Sequence, residues 1–188
     1  MRVKGHVGPV YALEWSPRDE FILASGGQDG VIRVWDVRKA RSCLAELSLT
    51  GSADGGKAHF DSILGLTFAS NGLSLVSASK DKTLRLWDVL ELKYSHKQVP
   101  WEAASHYSSI RPLLTDLRDC SPPLLYIPSH RHILEVNMRT FTVRKRLQGH
   151  FGRVTCLAMN AAEPSLYSGG ADREILSWKP MWRAPIVP

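Results

Sequence analysis

Three sets of residues in this chain carry the groups of a hydrolytic centre. His6, Ser25 and Asp29 supply a base, a hydroxyl and a carboxylate; so do His59, Ser77 and Asp81, and so do His150, Ser168 and Asp172. In a hydrolase the imidazole of such a trio takes the hydroxyl proton and the carboxylate orients the imidazole. Here each trio has a fourth member, a tryptophan ten residues after the serine: Trp35, Trp87 and Trp178. From histidine to aspartate the gap is 23, 22 and 22 residues, and from aspartate to tryptophan it is six every time. Three identical catalytic centres in one small domain make no sense, whereas a repeated structural unit does. The quartet reads as a hydrogen-bonded chain running from indole N–H to hydroxyl, imidazole and carboxylate, in which every buried polar group finds a partner.

Such chains close only if short strands bring the four residues together. Each histidine is followed by an apolar run: Val10 to Leu13, Ile63 to Leu66, Val154 to Leu157. Ser16 to Asp19 and Ala69 to Gly72 have turn composition. A second run ends at the serine, a tight turn holds the aspartate, and a third run, such as Thr83 to Trp87, ends at the tryptophan. Gly26, Gly27, Gly169 and Gly170 stand just before the tight turns and are assigned to backbone freedom. Runs this short, β-branched and turn-bounded read as strands, and no segment has a sustained helical period. The fold class is all-β, in one domain over 1–188, with about four strands and roughly 40–45 residues per repeat.

His6 and His59 are 53 residues apart, which places an insertion in the polar stretch Thr50 to Lys57. His59 and His150 are 91 apart, twice the period, so a degenerate repeat without a quartet fills the interval. Its candidate strands are Leu113 to Thr115, Leu124 to Ile127 and Ile133 to Val136. The repeats are expected at about 1–48, 58–92, 93–140 (degenerate) and 141–182. His130 and His132 have the spacing of metal ligands, but no cysteine or third histidine stands at ligand spacing, and they read as a turn.

The Gly5-His6 and Gly149-His150 openings, with Trp35-Asp36 and Trp87-Asp88 closing two repeats, resemble the WD-repeat β-propeller family; the last repeat has Trp178-Lys179 instead. The resemblance implies a propeller of about four blades. A seven-bladed ring needs about 300 residues and this chain has 188, so it is expected to be an incomplete, C-terminal part of a longer propeller. An arc leaves two open blade faces, which predicts poor solubility or dependence on a partner.

The net charge is +6 with 44% apolar residues, and the pI is about 9.4. No apolar run approaches a membrane span, and an N-terminus without an apolar segment argues against secretion. Cys43, Cys120 and Cys156 make no disulfide framework and fit a reducing compartment; Cys156, in an apolar run, is expected in the core. There is no phosphate-cradling glycine loop, no zinc spacing and no nucleophile outside the quartets. The sequence therefore reads as a non-enzyme, with no catalytic residues, no cofactor and no metal. Arg38 to Arg41 and Arg139 to Arg146 are basic clusters without interleaved aromatic platforms, which makes them a solvated rim rather than a nucleic-acid site.

Trp35, Asp36 and Arg38 form a Trp-Asp-x-Arg motif that resembles the one in WD-repeat substrate receptors of cullin–RING ubiquitin ligases. Wider stretches, from Leu13 to Arg18, Phe21 to Ser25, Leu73 to Ser77, and Leu147 to His150, are similar to the Cockayne syndrome A family of such receptors. That resemblance implies a nuclear, non-catalytic scaffold acting in transcription-coupled nucleotide excision repair. Its partners would be the ligase adaptor, contacted through Trp35, Asp36 and Arg38, and repair factors at stalled polymerase. The alternatives are a scaffold unrelated to ubiquitin ligases or a basic nucleic-acid-binding module.

Overall fold

The computed structural model describes residues 5–39, 43–49, 56–102, 109–115, 123–160 and 165–179. Among the described residues fifteen strands follow one another: β1 (Val10–Trp15), β2 (Ile22–Gly27), β3 (Ile32–Asp36), β4 (Cys43–Leu47), β5 (Ile63–Phe68), β6 (Ser74–Ser79), β7 (Thr83–Asp88), β8 (Lys93–Pro100), β9 (Leu113–Thr115), β10 (Leu124–Ser129), β11 (His132–Asn137), β12 (Thr142–Gln148), β13 (Val154–Asn160), β14 (Ser165–Gly170) and β15 (Ile175–Trp178). Among the described residues no helix is long and apolar enough to cross a membrane. The strands form four antiparallel meanders, β1–β4, β5–β8, β9–β12 and β13–β15. They are arranged like the blades of a propeller. Residues of β1, β5 and β13, with Ser109 to Arg111 beside β9, line one shared central cavity, so the first strands converge there.

Alternation along each strand sends neighbouring residues to opposite faces, and both faces of the inner blades are apolar. In the first seam Ala24, Ile32, Val34 and Leu47 of the first sheet meet Leu66, Phe68, Leu75 and Trp87 of the second. In the next, Leu64, Val76, Leu84 and Leu86 meet Leu125, Ile127, Leu134 and Val136. In the third, Leu124, Tyr126 and Ile133 meet Leu166, with Leu157, Met159 and Trp178 packed against them. In the second and fourth sheets the tryptophan-bearing face thus lies on the plain face of the sheet before it, and the third sheet turns the same face, without a tryptophan, to the second. Among the described residues the two outermost faces have no such neighbour. Leu13 is 61% and Trp15 54% exposed on the first sheet, and Ile175 is 78% exposed on the fourth.

The sheets are offset from the repeats. Lys93–Pro100, at the start of the degenerate repeat expected from 93, pairs with β7 and completes the second sheet. Thr142–Gln148, at the start of the last repeat expected from 141, pairs with β11 and completes the third, so each of these repeats supplies the outer strand of the sheet before it. The Trp-Asp punctuation closes a third strand. The fourth strand has no signature residue, so the sequence does not reveal which sheet owns it. Cys156, expected in the core, is exposed. It lies in β13 opposite Gly169 on the uncovered face of the fourth sheet. Cys120 and most of the expected insertion, Thr50 to Gly55, lie outside the described residues.

The tight turns carry their strain at the third residue: Gly30, Lys82 and Arg173 have φ of 72°, 66° and 71°. Glycine meets that demand at once, and it is also needed for room, since a Cβ on Gly30 would stand 2.5 Å from the His59 carbonyl oxygen. Gly26, by contrast, is a matter of space rather than backbone freedom: a Cβ there would stand 2.5 Å from a methyl carbon of Ile63 in the next sheet.

Candidate functional site

The hairpin between β2 and β3 puts Ser25 and Trp35 on one face, and the tight turn swings Asp29 back toward the loop before β1. In the first sheet the Trp35 indole donates to Ser25 Oγ at 2.7 Å, that hydroxyl lies 2.7 Å from His6 Nε2, and His6 Nδ1 lies 2.9 Å from Asp29. In the second, Trp87 donates to Ser77 at 2.8 Å, Ser77 lies 2.6 Å from His59 Nε2, and His59 Nδ1 lies 2.9 Å from Asp81. In the fourth the same three distances, among Trp178, Ser168, His150 and Asp172, are all 2.8 Å. One proton arrangement satisfies every member: the serine accepts from indole and donates to Nε2, and a neutral imidazole donates from Nδ1 to the carboxylate.

Each aspartate also accepts main-chain N–H groups. Asp29 takes Val7 and Val31, Asp81 takes Phe60 and Thr83, and Asp172 takes Phe151 and Glu174. The carboxylate therefore ties its own turn to the loop that enters the blade. Burial raises the Asp29 pKa, but hydrogen bonds from His6, Val7 and Arg33 outweigh it and hold the group at about 2. Asp172 is likewise held at about 2, its burial overcome by His150 and main-chain donors. Asp81 is held well below the usual carboxylate range in the same way. Burial pushes the His59 imidazole down against the pull of Asp81, which favours the neutral form the chain of bonds requires. The serines are only 0–2% exposed and their oxygens are taken up in the chain. This geometry clamps; it offers no nucleophile to a substrate.

Sequence reasoning passed over two partners. Arg33 reaches Asp29 at 3.0 Å and Glu46 at 2.9 Å. Arg85 donates to the Ala58 carbonyl and lies 3.7 Å from Asp81. Both follow the aspartate by four positions in the sequence, which was a usable signal. Three apolar side chains one residue after the histidines, Val7, Phe60 and Phe151, stand 78–82% exposed on the rim beside the tight turns.

At the opposite end of the first sheet, Asp36 closes β3 and is buried, while the Arg38 side chain is 53% exposed. Arg38 grips the carboxylate with two hydrogen bonds, Nε to Oδ1 and Nη2 to Oδ2, each 2.9 Å. Its guanidinium carbon sits 4.5 Å from the centre of the Phe21 ring. Hydrogen bonds from the Arg38 side chain are the main reason the Asp36 carboxyl is held at about 2. The structure thus brings Asp36 and Arg38 together and adds Phe21. It leaves Trp35 apart, its indole committed to Ser25. Asp88 and Asn137, at the matching positions, cap their turns through main-chain N–H groups of Leu90 and Arg139, and the arginine fork belongs to the first sheet. His130 lies in a turn at φ 52°, and among the described residues there is no group of three or more histidine, cysteine, aspartate and glutamate side chains fit to hold a metal.

The family model for the WD domain, G-beta repeat, matches residues 1–36, 56–88 and 141–179, that is, the three quartet-bearing repeats. WD repeat-containing protein ATCSA-1 of Arabidopsis thaliana is 24% identical over 95% of this chain and 54% of its own length. Eukaryotic translation initiation factor 3 subunit I of Drosophila pseudoobscura pseudoobscura is 26% identical over 92% of this chain and 52% of its own. Polycomb protein EED of Chaetomium thermophilum is 29% identical over 62% of this chain and 20% of its own. The chain spans about half the length of the first and second of these relatives.

Proposed function

The chain belongs to the WD domain, G-beta repeat family, whose members are generally non-catalytic platforms for other proteins, and we propose that it serves as a substrate receptor of a cullin–RING ubiquitin ligase in transcription-coupled repair, in the nucleus. The observation that carries this reading is the Asp36–Arg38 fork braced on Phe21. A guanidinium already held in one rotamer loses little entropy when a partner docks on it, and its planar donors recognise an acceptor with direction. Similarity to ATCSA-1 over 95% of this chain supports the same reading. The receptor would supply proximity alone, holding a repair factor beside the ubiquitin-transfer machinery so that reaction becomes effectively intramolecular.

Capture of the ligase adaptor by the purified chain tests it. Arg38→Ala should weaken capture at least tenfold, and Arg38→Lys should fail almost as badly, since an ammonium cannot reproduce the fork. Capture by the alanine variant equal to that of the parent would leave a WD-repeat scaffold unrelated to this ligase.

A further inference from the structure

The first and fourth sheets end the row of blades, and among the described residues each leaves one face bare. The bare face of the first sheet is the one that carries its quartet. Leu13 lies there opposite Ser25, and Trp15 opposite Leu23, which is itself opposite Trp35. Val10 and Leu13 stand four and seven residues after their histidine, as Ile63 and Leu66 do in the second sheet. Ile63 and Leu66 are buried in the seam with the first sheet. Val10 and Leu13 are exposed, and so is Trp15.

The first seam shows what receives such a pair. On the plain face of the first sheet Ala12, Gly26 and Ile32 lie side by side across β1, β2 and β3. Ala12 and Ile32 are buried in one cluster with Ile63 and Leu66. A Cβ on Gly26 would stand 2.5 Å from a methyl carbon of Ile63 and 3.4 Å from one of Leu66, so the bare glycine is the floor on which both side chains sit. The bare face of the fourth sheet is again the plain one, and it carries the same row. Cys156, Gly169 and Ile175 lie side by side across β13, β14 and β15. A Cβ on Gly169 would meet only the Cys156 sulfur; Cys156 and Ile175 are exposed. One end of the chain therefore presents the apolar pair, and the other presents the floor that fits it.

We propose that these two faces are the interface between two copies of this chain. The first sheet of each copy packs on the fourth sheet of the other, with Val10 and Leu13 seated on Cys156, Gly169 and Ile175 as Ile63 and Leu66 sit on Ala12, Gly26 and Ile32. Four sheets from each copy make a ring of eight blades, at the upper end of the roughly four to eight usual for such rings. A two-fold axis along the central cavity makes the two junctions identical, and closing the ring removes both apolar faces from water. Packing of the first sheet on its own copy is disfavoured: it sets Leu13 and Trp15 against Leu13 and Trp15, with no glycine floor to receive them. The interface is read from mass rather than from adaptor capture, so it stands apart from the ligase reading.

The test is analytical ultracentrifugation of the full chain and its variants, with circular dichroism to show that each is folded. The parent should sediment as a dimer. Leu13→Glu places a charge on the first sheet's bare face and Ile175→Glu one on the fourth's. Each variant alone should dimerise about a hundredfold more weakly, because it spoils both junctions. An equal mixture of the two should dimerise about tenfold more tightly than either alone, since one junction then joins two unaltered faces. Trp15→Glu, on the same face as Leu13, should act as Leu13→Glu does and takes its place should that chain fail to fold. A folded parent that stays monomeric, a dimer that Ile175→Glu leaves intact, a mixture no tighter than its parts, or open-ended polymers in place of the dimer would overturn the proposal.

Discussion

The second and third sheets turn the same face to their predecessors and line it with opposite chemistry. In the second, His59, Ser77 and Trp87 are buried and bonded in a chain ending on Asp81. In the third, Ile127 stands where Ser77 does and Val136 where Trp87 does, and both are fully buried in an apolar seam. Packing one blade on the next therefore does not need the quartet. What the quartet adds is a tether from the tight turn to the entering loop. The third sheet ties its turn differently: the Trp101 indole donates to the Pro128 carbonyl and the Ser129 hydroxyl to that of Glu102. Polar burial here is the cost of fixing a loop, and another anchor can fix it as well.

The largest way to break this comparison is Trp87→Ala. It removes a fully buried ring and strands the Ser77 hydroxyl, and it should cost about 3–5 kcal/mol in denaturant unfolding. Ile127→Ala, at the apolar counterpart, should cost about 2–4 kcal/mol through a cavity alone. If the two losses came with equal loosening of their turns in hydrogen exchange, the tether would be wrong. Asp81→Ala should cost about 1–3 kcal/mol and, unlike Ile127→Ala, should release amide protection at Phe60 and Thr83. The smallest effect expected is a gain. Lys82 holds φ 66°, and Lys82→Gly should stabilise by up to about 1 kcal/mol, the relief of a left-handed residue offset by glycine's entropy.

Acid sharpens the same contrast. Asp29 and Asp172 sit at about 2 in the fold against an ordinary 3.8, so the unfolded chain binds more protons than the folded one between those values. Their stabilisation is present above about pH 4 and is lost as pH falls toward 2. His59, pushed below its ordinary 6.5 by burial, adds stability that is present above that value and declines as pH drops through it. Melting temperature should therefore fall continuously on the acid side, and Asp172→Asn should flatten its lower limb.

The strands and the three quartets were legible because they use local signals: alternation, turn residues, and four groups whose donors and acceptors complement one another at fixed offsets. The ownership of β8 and β12 was not, since neither carries a signature residue. The exposure of Cys156 was not, since an apolar run looks the same whether or not another sheet covers it. Arg33 and Arg85 went unnoticed, although each stands four residues after a quartet aspartate. The cavity beside Glu135, between the third and fourth sheets, could not be read at all. Its walls come from β10 to β12 on one side and from β13 to β15 on the other, and only the seam brings them together. In the Trp-Asp-x-Arg motif the spacing of Asp36 and Arg38 was visible, but the ring beneath the guanidinium, Phe21, becomes a neighbour only through the hairpin.

The clamp stands or falls on the charge of one imidazole. Nitrogen-15 NMR of His59 at pH 6 should find a neutral ring, protonated on Nδ1 and unprotonated on Nε2, with no titration near 6.5. A ring that carries its proton on Nε2, or that becomes cationic at its ordinary pKa, would contradict the chain of bonds from Trp87 through Ser77 to Asp81.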